Sequence, residues 1–328
     1  TKFGNRLTST ISRNGDLISN MWLEVDLPTS WNGTSGAKYI NNVGHALIDY
    51  VELEIGGQRI DKHYGEYLEI LSELTMPEEK RAVYKQLVGK RDDYSDNSGT
   101  SIGTFANASK LVSDKLFIPL QFFFCRNPGL ALPLIALQYH EVKINLKLRD
   151  GGDLLSTTST LSDPTVKLYV DYVYLDTTER RRFAQMQHEY LIEQLQHTGP
   201  SKGSDQTQRL NFNHPVKELI WVFRKDVAEK MNFNKVAASG ENGKFPVQSM
   251  SSSDTVVPDQ EGFGTEWFEN MKLQLNGHDR FSERPAAYFR AVQPYQHHTR
   301  VSLKQPIFCY SFALHPEAHQ PSGTCNFS

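Results

Sequence analysis

The stretch Leu17-Ile18-Ser19-Asn20-Met21-Trp22-Leu23-Glu24-Val25-Asp26-Leu27 carries the clearest structural signal in the chain. From Met21 onward every second residue is apolar, and Pro28 ends the pattern. Because successive side chains of a β-strand point to opposite faces of its sheet, this period of two predicts a half-buried strand.

The residues just before this strand predict a partner for it. Phe3 to Ser12 forms a second strand candidate, and Arg13-Asn14-Gly15-Asp16 joins the two. Asn-Gly readily adopts the positive φ angles of a two-residue hairpin turn. The sequence therefore predicts a β-hairpin over residues 3–27.

Strand patterns recur along the rest of the chain, whereas helical spacing is rare. Helical spacing occurs in Tyr64–Met76 and Thr177–Gln187, and Arg91–Lys110 and Val236–Gly264 are predicted to be long exposed loops. The further strand candidates are Leu47–Ile55, Lys143–Leu148, Val166–Leu175, Val216–Phe223, Met271–Leu275, Ala286–Val292 and Ile307–Leu314. This balance predicts all-β sandwiches rather than a barrel enzyme.

The most apolar stretch, Leu116 to Tyr139, has to be considered as a membrane span. Arg126 lies at its centre, and three prolines would break a single helix. We expect instead two buried strands around a turn at Asn127-Pro128-Gly129.

An internal echo bears on the number of domains. Residues 51–57, an alternating strand that runs into Gly56-Gly57, align at an offset of 220 with residues 271–277, which end in Asn276-Gly277. A chain of 328 residues is about twice a typical domain, so the echo favours two similar β domains.

Composition excludes several classes of function. A formal net charge of -3 provides no basic field for direct binding of nucleic acid. Three cysteines are too few for a disulfide framework. The chain starts without Met or an apolar signal segment, and we expect both ends to be cut.

Motifs that could support catalysis lack the required context. Gly199-Pro200-Ser201-Lys202-Gly203 matches a nucleophile elbow, but polar linker flanks it instead of a strand and a helix. His297, His298, His315 and His319 have the residue types of a metal site, but Pro316 and the spacing argue against one. The cluster at Arg180 is typical of a solvated face or salt-bridge set. We therefore predict no catalytic residue, no metal and no cofactor.

Several long segments resemble one viral protein family, the major capsid proteins of nucleocytoplasmic large DNA viruses such as those of algae and the iridoviruses. The resemblance extends over nearly the whole chain. The matching segments are Phe3–Arg6, Ile11–Ile18, Ile55–Asp61, Pro119–Leu137, Glu179–Ala184, Leu275–Phe281, Tyr310–Leu314, Pro316–Glu317 and His319–Thr324.

The resemblance implies two consecutive eight-stranded antiparallel jelly rolls, over residues 1–185 and 186–328, with short helices and long loops. It implies a structural protein that forms a homotrimer of pseudo-hexagonal outline, packs beside neighbouring capsomers and minor capsid proteins, and tiles an icosahedral capsid. The expected location is the virion shell, assembled in the host cytoplasm. Some family members carry glycans on outer loops, which makes the sequon residues Asn32 and Asn107 candidates. The resemblance also implies an N-terminal arm and a C-terminal closing strand, and we expect both to be missing from this stretch of sequence.

Two other functions remain open at this point. A jelly-roll protein that binds carbohydrate or a host surface could use loop aromatics such as Trp31 and Tyr94. A cupin-like metal enzyme would be built on the four histidines named above.

Overall fold

The computed structural model describes residues 1–28, 31–33, 39–90, 115–155, 159–200, 207–224, 233, 267–302 and 305–327. The two long loops predicted at Arg91–Lys110 and Val236–Gly264 lie outside this part of the chain. Two compact units are present. Unit 1 comprises the described parts of Thr1–Glu69, Ala82–Asp92 and Gly103–Leu195, and unit 2 those of Ile70–Arg81 and Gln196–Ser328.

Unit 1 contains the long strands. They are β1 Arg6–Thr10, β2 Leu17–Asp26, β3 Trp31–Gly33, β4 Ile48–Ile55, β5 Gln58–Tyr64, β6 Lys115–Pro119, β7 Leu132–Pro133, β8 Val142–Leu148, β9 Ser159–Leu161 and β10 Thr165–Val173. The first sheet has the order β1-β8-β4-β5, and the second has the order β10-β2-β6 with β7 also pairing with β2. All of these pairs are antiparallel, and β3 pairs separately with β9.

Unit 2 contains short strands within the described residues. They are β11 Pro215–Val216, β12 Glu218–Trp221, β13 Asn270–Met271, β14 Gln274–Leu275, β15 His278–Asp279, β16 Arg284–Pro285, β17 Phe308–Ser311 and β18 Cys325–Asn326. They form the antiparallel pairs β11-β18, β12-β17, β13-β16 and β14-β15. A core of aromatic side chains around Phe289 and Phe308, which are both fully buried, packs against β12 and β17.

The helices are short. They are α1 Val43–Leu47, α2 Gly65–Thr75, α3 Glu78–Val88, α4 Phe123–Arg126, α5 Thr177–Gln185 and α6 Gln293–His297. The predicted helices at 64–76 and 177–187 are confirmed as α2 and α5. Prediction missed α3, which begins directly after Pro77 and is mostly polar. No helix in the described ranges is long and apolar enough to cross a membrane.

The strand predicted from the alternation in Leu17–Leu27 is confirmed as β2. Met21, Leu23 and Val25 are 2% exposed or less, while Trp22 on the opposite face is half-buried. Strand β2 lies between β10 and β6, so its buried face is central to unit 1. The candidates at 47–55, 143–148 and 166–175 are likewise confirmed as β4, β8 and β10.

The hairpin predicted over residues 3–27 is wrong. Strand β1 pairs with β8, and β2 pairs with β10, β6 and β7, so the two predicted partners belong to different sheets. Neither Asn14 nor Gly15 has a positive φ. Gly15 instead allows the backbone to pack closely against Tyr172, since an added Cβ would lie 2.6 Å from the Cβ of Tyr172.

The apolar segment 116–139 is only partly as predicted. Strands β6 and β7 lie on either side of the predicted turn, but α4 and a 3₁₀ turn at Pro128–Leu130 lie between them rather than a simple loop. The Asn127 side chain accepts a hydrogen bond from the Gly129 amide, which caps this turn.

The strand predicted at Ala286–Val292 is also wrong. Residues Tyr288–Val292 form a π-helix that continues into α6. The buried residues are Ala286, Phe289, Arg290, Gln293 and Pro294. Their spacing of three and four residues is helical, although three of the five are polar or proline.

The internal echo corresponds to one shared turn. Gly56 and Gly57 have φ of 59° and 84°, and Asn276 and Gly277 have φ of 51° and 81°. Each pair joins two strands directly, Ile55 to Gln58 in unit 1 and Leu275 to His278 in unit 2. Both are two-residue turns with positive φ at both central positions, as the strand twist favours.

Candidate functional site

Unit 1 exposes an aromatic surface on its second sheet. Trp22 and Tyr169 face each other across β2 and β10, with ring centroids 6.0 Å apart and an interplanar angle of 8°. Tyr169 is 41% exposed, and at the end of the strand Val173 and Tyr174 are 37% and 68% exposed. We call these four residues the β10 surface.

The charges beside the β10 surface are paired with one another. Glu24 accepts hydrogen bonds from Lys115 at 3.0 Å and from Lys167 at 3.3 Å. The Lys115 hydrogen bond is the main cause that lowers the pKa of Glu24. An aromatic surface whose neighbouring charges are already neutralised suits contact with another protein surface.

Unit 2 exposes a second apolar surface around α6. Val292 is 40% exposed, Tyr295 81% and Leu314 66%. The imidazole of His297 lies 3.0 Å from the carbonyl oxygen of Leu314, so the helix and the 312–319 loop are held together. We call Val292, Tyr295 and Leu314 the α6 surface.

His298 fixes the loop that carries Leu314. Its Nδ1 lies 3.0 Å from Glu317 and its Nε2 lies 3.0 Å from Glu218, and its side chain is 1% exposed. Burial lowers the pKa of His298, but hydrogen bonds with Cys309, Glu218 and Glu317 outweigh burial and raise it to about 12. The imidazole is therefore held as a cation between two carboxylates.

The four histidines considered as metal ligands do not form a metal site. His297 and His298 make the contacts just described, and the backbone amide of His315 donates to Ser322. Within the residues that the structure describes, no group of three His, Cys, Asp or Glu side chains is placed to hold a metal ion.

Arg180 makes an internal ion pair. It donates to Asp16 at 2.9 Å, and Asp16 also accepts the Leu175 amide at 2.8 Å. The Arg180 hydrogen bond is the main cause that lowers the pKa of Asp16. Asp176 caps the N-terminus of α5, so this short helix is fixed beside β2 and β10. Arg180 thus forms a salt bridge within the chain, whereas an interface salt bridge stays a prediction.

A buried polar network that sequence reasoning missed lies in unit 1. Glu69 is fully buried and accepts hydrogen bonds from Asn42, Lys90 and His45. The other imidazole nitrogen of His45 lies 2.8 Å from the Tyr84 hydroxyl. Burial raises the pKa of Glu69, but the Lys90 ammonium and His45 outweigh burial and lower it to about 2.

The segment after α5 is held in place within unit 1. Glu193 pairs with Arg126 at 2.8 Å, and the Tyr190 hydroxyl donates to the Ala131 carbonyl at 3.2 Å. The Leu195 amide donates to Asp61 of β5 at 3.1 Å. Arg126, which argued against a membrane span, thus anchors this segment.

The remaining predicted positions are only partly described. Asn32 lies in β3, where its backbone is opposite Thr160 of β9, and Trp31 precedes it in the same strand. Asn107, Tyr94 and Ser201 lie outside the described residues. The structure therefore does not test the two glycan positions.

Comparison with known proteins defines the class first. Residues 1–176 match the family model for the major capsid protein N-terminus, and residues 179–328 match that for the large eukaryotic DNA virus major capsid protein. The solved structure of the PBCV-1 virus capsid has a TM-score of 0.72 and 38% identity, covering 100% of this chain and 78% of that chain. The Faustovirus major capsid protein, at 14% identity and a TM-score of 0.71, shares the fold.

Individual relatives then establish the family. The major capsid protein of Pyramimonas orientalis virus is 47% identical over 99% of this chain and 77% of its own length. The major capsid protein of Paramecium bursaria Chlorella virus 1 is 41% identical over 99% of this chain and 74% of its own length. The chain belongs to the major capsid proteins of large eukaryotic DNA viruses, which are virion structural proteins with double jelly-roll neighbours.

Proposed function

We propose that three copies of this chain form a capsomer of pseudo-hexagonal outline, and that many capsomers tile an icosahedral shell. Each chain would contribute two eight-stranded jelly rolls, over residues 1–185 and 186–328. The observation that carries the proposal is that the two capsid family models together match nearly the whole chain. The two four-stranded sheets of unit 1 supply eight strands, which supports the first jelly roll.

The exposed surfaces suit a closed ring. A ring of three identical chains uses heterologous contacts, in which one surface of each copy meets a different surface of the next. The β10 surface lies in unit 1 and the α6 surface in unit 2, so each copy presents two unlike apolar surfaces. We propose that they contribute to contacts between copies.

The wider setting follows from the same proposal. The protein would act without a catalytic residue or cofactor, would lie in the virion shell after assembly in the host cytoplasm, and would contact neighbouring capsomers and minor capsid proteins. Direct contact with nucleic acid is not part of the proposal. Glycans at Asn32, which lies in β3, or at Asn107 would be carried rather than bound.

Mass measurement and electron microscopy of the full chain test the proposal together. We expect the mass of a trimer by sedimentation equilibrium and particles of hexagonal outline. Tyr295→Ser and Tyr169→Ser should each shift the population toward monomer, whereas Tyr139→Ser, at a 93% exposed position outside both surfaces, should not. A stable monomer that binds glycan would contradict the trimer and favour the attachment function.

A further inference from the structure

The two edges of the first sheet differ in how they are covered. At the β5 edge, the Gln194 side chain donates to the Ile60 carbonyl, and the Leu195 amide donates to Asp61. At the β1 edge, four of the five residues are exposed, and no hydrogen bond from another described residue reaches the outer backbone groups. An uncovered edge strand is a template for pairing with another chain.

The register identifies the outer backbone groups of β1. The Ile11 amide donates to Val142, and the Leu148 amide donates to Asn5, so the odd-numbered residues of β1 bond to β8. Because antiparallel pairs alternate, the N–H and C=O groups of Arg6, Thr8 and Thr10 point away from β8. These three alternate residues therefore each offer one N–H donor and one C=O acceptor to a partner strand.

A cavity lies at the end of this edge. Its volume is about 310 Å³, and it is lined by Thr10, Ile11, Arg13, Leu134, Gln138, Tyr139, Glu141 and Val142, of which Glu141 is paired with Lys143 at 2.8 Å. The Arg13 guanidinium donates to the carbonyls of Leu137, Gln138 and His140, which holds the turn that forms one wall. The cavity is therefore preformed. Ile11, Leu134 and Val142 supply its apolar lining beside polar residues, and the Tyr139 side chain that also lines it is 93% exposed.

The edge is basic. Between residues 1 and 15 the chain has Lys2, Arg6 and Arg13 and no acidic residue. Glu52 does not neutralise Arg6, because Glu52 also lies within 4.0 Å of Arg59 and Lys62. A partner strand that lies along β1 would gain from negative charge.

We infer that the β1 edge and the cavity at its end form a docking site for an extended acidic segment of a partner protein, with one large apolar side chain in the cavity. Main-chain hydrogen bonds to Arg6, Thr8 and Thr10 would supply affinity, and the cavity would supply specificity. The inference goes beyond the proposed trimer and does not depend on it.

A peptide probe tests the site with the full chain. The probe is a fluorescent heptapeptide of alternating threonine and valine with glutamate at both ends and one phenylalanine near its C-terminus, titrated by anisotropy up to about 1 mM, the weak end of specific affinities. We expect saturable binding and slower amide hydrogen exchange at Arg6, Thr8 and Thr10. Absence of binding, or of this protection, would overturn the inference.

Two variants at one position isolate the backbone contact. Thr8→Pro removes an outward N–H without breaking the bonds of β1 to β8, since proline is tolerated on edge strands. Thr8→Val is the matched control, because it keeps the N–H and loses the same side-chain hydrogen bond to Asn145. We expect Thr8→Pro to weaken binding about tenfold and Thr8→Val to leave it within about twofold.

A change in the peptide keeps the test valid if Thr8→Pro fails to fold. N-methylation at alternate peptide positions should abolish binding in one register and spare it in the other. Equal affinity for both methylated forms would contradict strand pairing. Protection of the same amides that rises with protein concentration without peptide would identify a second copy as the occupant and overturn the assignment to a partner protein.

Discussion

Each of the two units buries a histidine against carboxylates, but they insulate it to different degrees. In unit 1, His45 and Glu69 are both fully buried, and Lys90 completes the charge balance. In unit 2, His298 is buried but its partners Glu218 and Glu317 are 23% and 25% exposed. The same pair of residue types thus forms an interior network in one unit and a surface-facing one in the other.

This difference in exposure to solvent determines how each network affects stability. A charge cluster closed off from water is strongly coupled to folding, because removal of one member leaves the others buried without a partner. A cluster whose carboxylates reach solvent is weakened by screening and responds to pH. We therefore expect the unit 1 network to govern stability and the unit 2 network to govern the position of the Leu314 loop.

The largest effect is expected from Glu69→Gln. The change removes the buried carboxylate that Asn42, His45 and Lys90 contact, so it should lower the free energy of unfolding of unit 1 by about 3–5 kcal/mol. Hydrogen exchange of β4 and of residues 65–69 during guanidinium titration measures this. Glu79→Gln, an exposed change on the next helix, should cost less than about 0.5 kcal/mol.

A double variant sharpens this prediction. Replacing Glu69 and Lys90 together with apolar residues of similar volume removes both charges, and such replacements of buried pairs are often nearly neutral. We expect the double variant to be more stable than Glu69→Gln. A double variant as unstable as the single one would mean that packing, and not the unpaired charge, causes the loss.

Glu317→Gln should have a smaller and more local effect. The change keeps the shape of the side chain but removes the charge that His298 and Thr299 contact, with a loss of about 1–2 kcal/mol after allowance for partial exposure. We expect faster hydrogen exchange in residues 312–319 and little change in unit 1. Glu283→Gln, an exposed position in the same unit, is the control.

Acid should separate the two networks. Burial raises the pKa of Glu317, but hydrogen bonds from His298 and Thr299 outweigh burial and lower it below its ordinary 4.5. Its contribution is therefore complete above pH 4.5 and is lost as pH falls through the lowered pKa. The pKa of His298 is raised from 6.5, so its contribution is complete below pH 6.5 and is lost only as pH rises toward about 12.

The measurement is the difference in thermal midpoint between the parent chain and each variant, followed as pH falls. Both differences should begin to shrink below pH 4.5, the ordinary pKa of both carboxyl groups. The difference for Glu69→Gln should go on shrinking down to about pH 2, whereas that for Glu317→Gln should level off at a higher pH, because the pKa of Glu317 is lowered less. Loss of both differences at the same pH would mean that Glu69 is not insulated from water.

These networks also show the limit of what could be predicted from the sequence. Strands β2 and β4 could be predicted because apolar and polar residues alternate along them, and this alternation indicates which face is buried. The motifs that resemble viral capsid proteins identified the family. Nothing in the sequence pattern indicated the unit 1 network. Its members are polar residues that come into contact only in the tertiary fold, namely Asn42, His45, Glu69 and Lys90.

The errors have equally specific causes. Asn14-Gly15 has the composition of a hairpin turn, but the pairing of β1 with β8 and of β2 with β10 depends on contacts about 140 residues apart. The helix at Tyr288–Val292 was missed because Arg290, Gln293 and Pro294 occupy buried positions. Helical periodicity is recognised from the spacing of apolar residues, and these three residues do not contribute to it.

The smallest expected effect concerns the turn that the two units share. Gly57→Ala places a Cβ where no atom lies within 4 Å, so the cost is only that of a positive φ, about 1 kcal/mol. Gly56→Ala should cost more, since its Cβ would lie 2.6 Å from the His140 ring. In unit 2, Gly277 also has open space around it, so Gly277→Ala should match Gly57→Ala when denaturation of each unit is followed by hydrogen exchange. Equal costs would show that the two turns bear the same backbone strain, whereas a much larger cost at Gly57 would show that the turn is coupled to the sheet of unit 1 and not merely repeated.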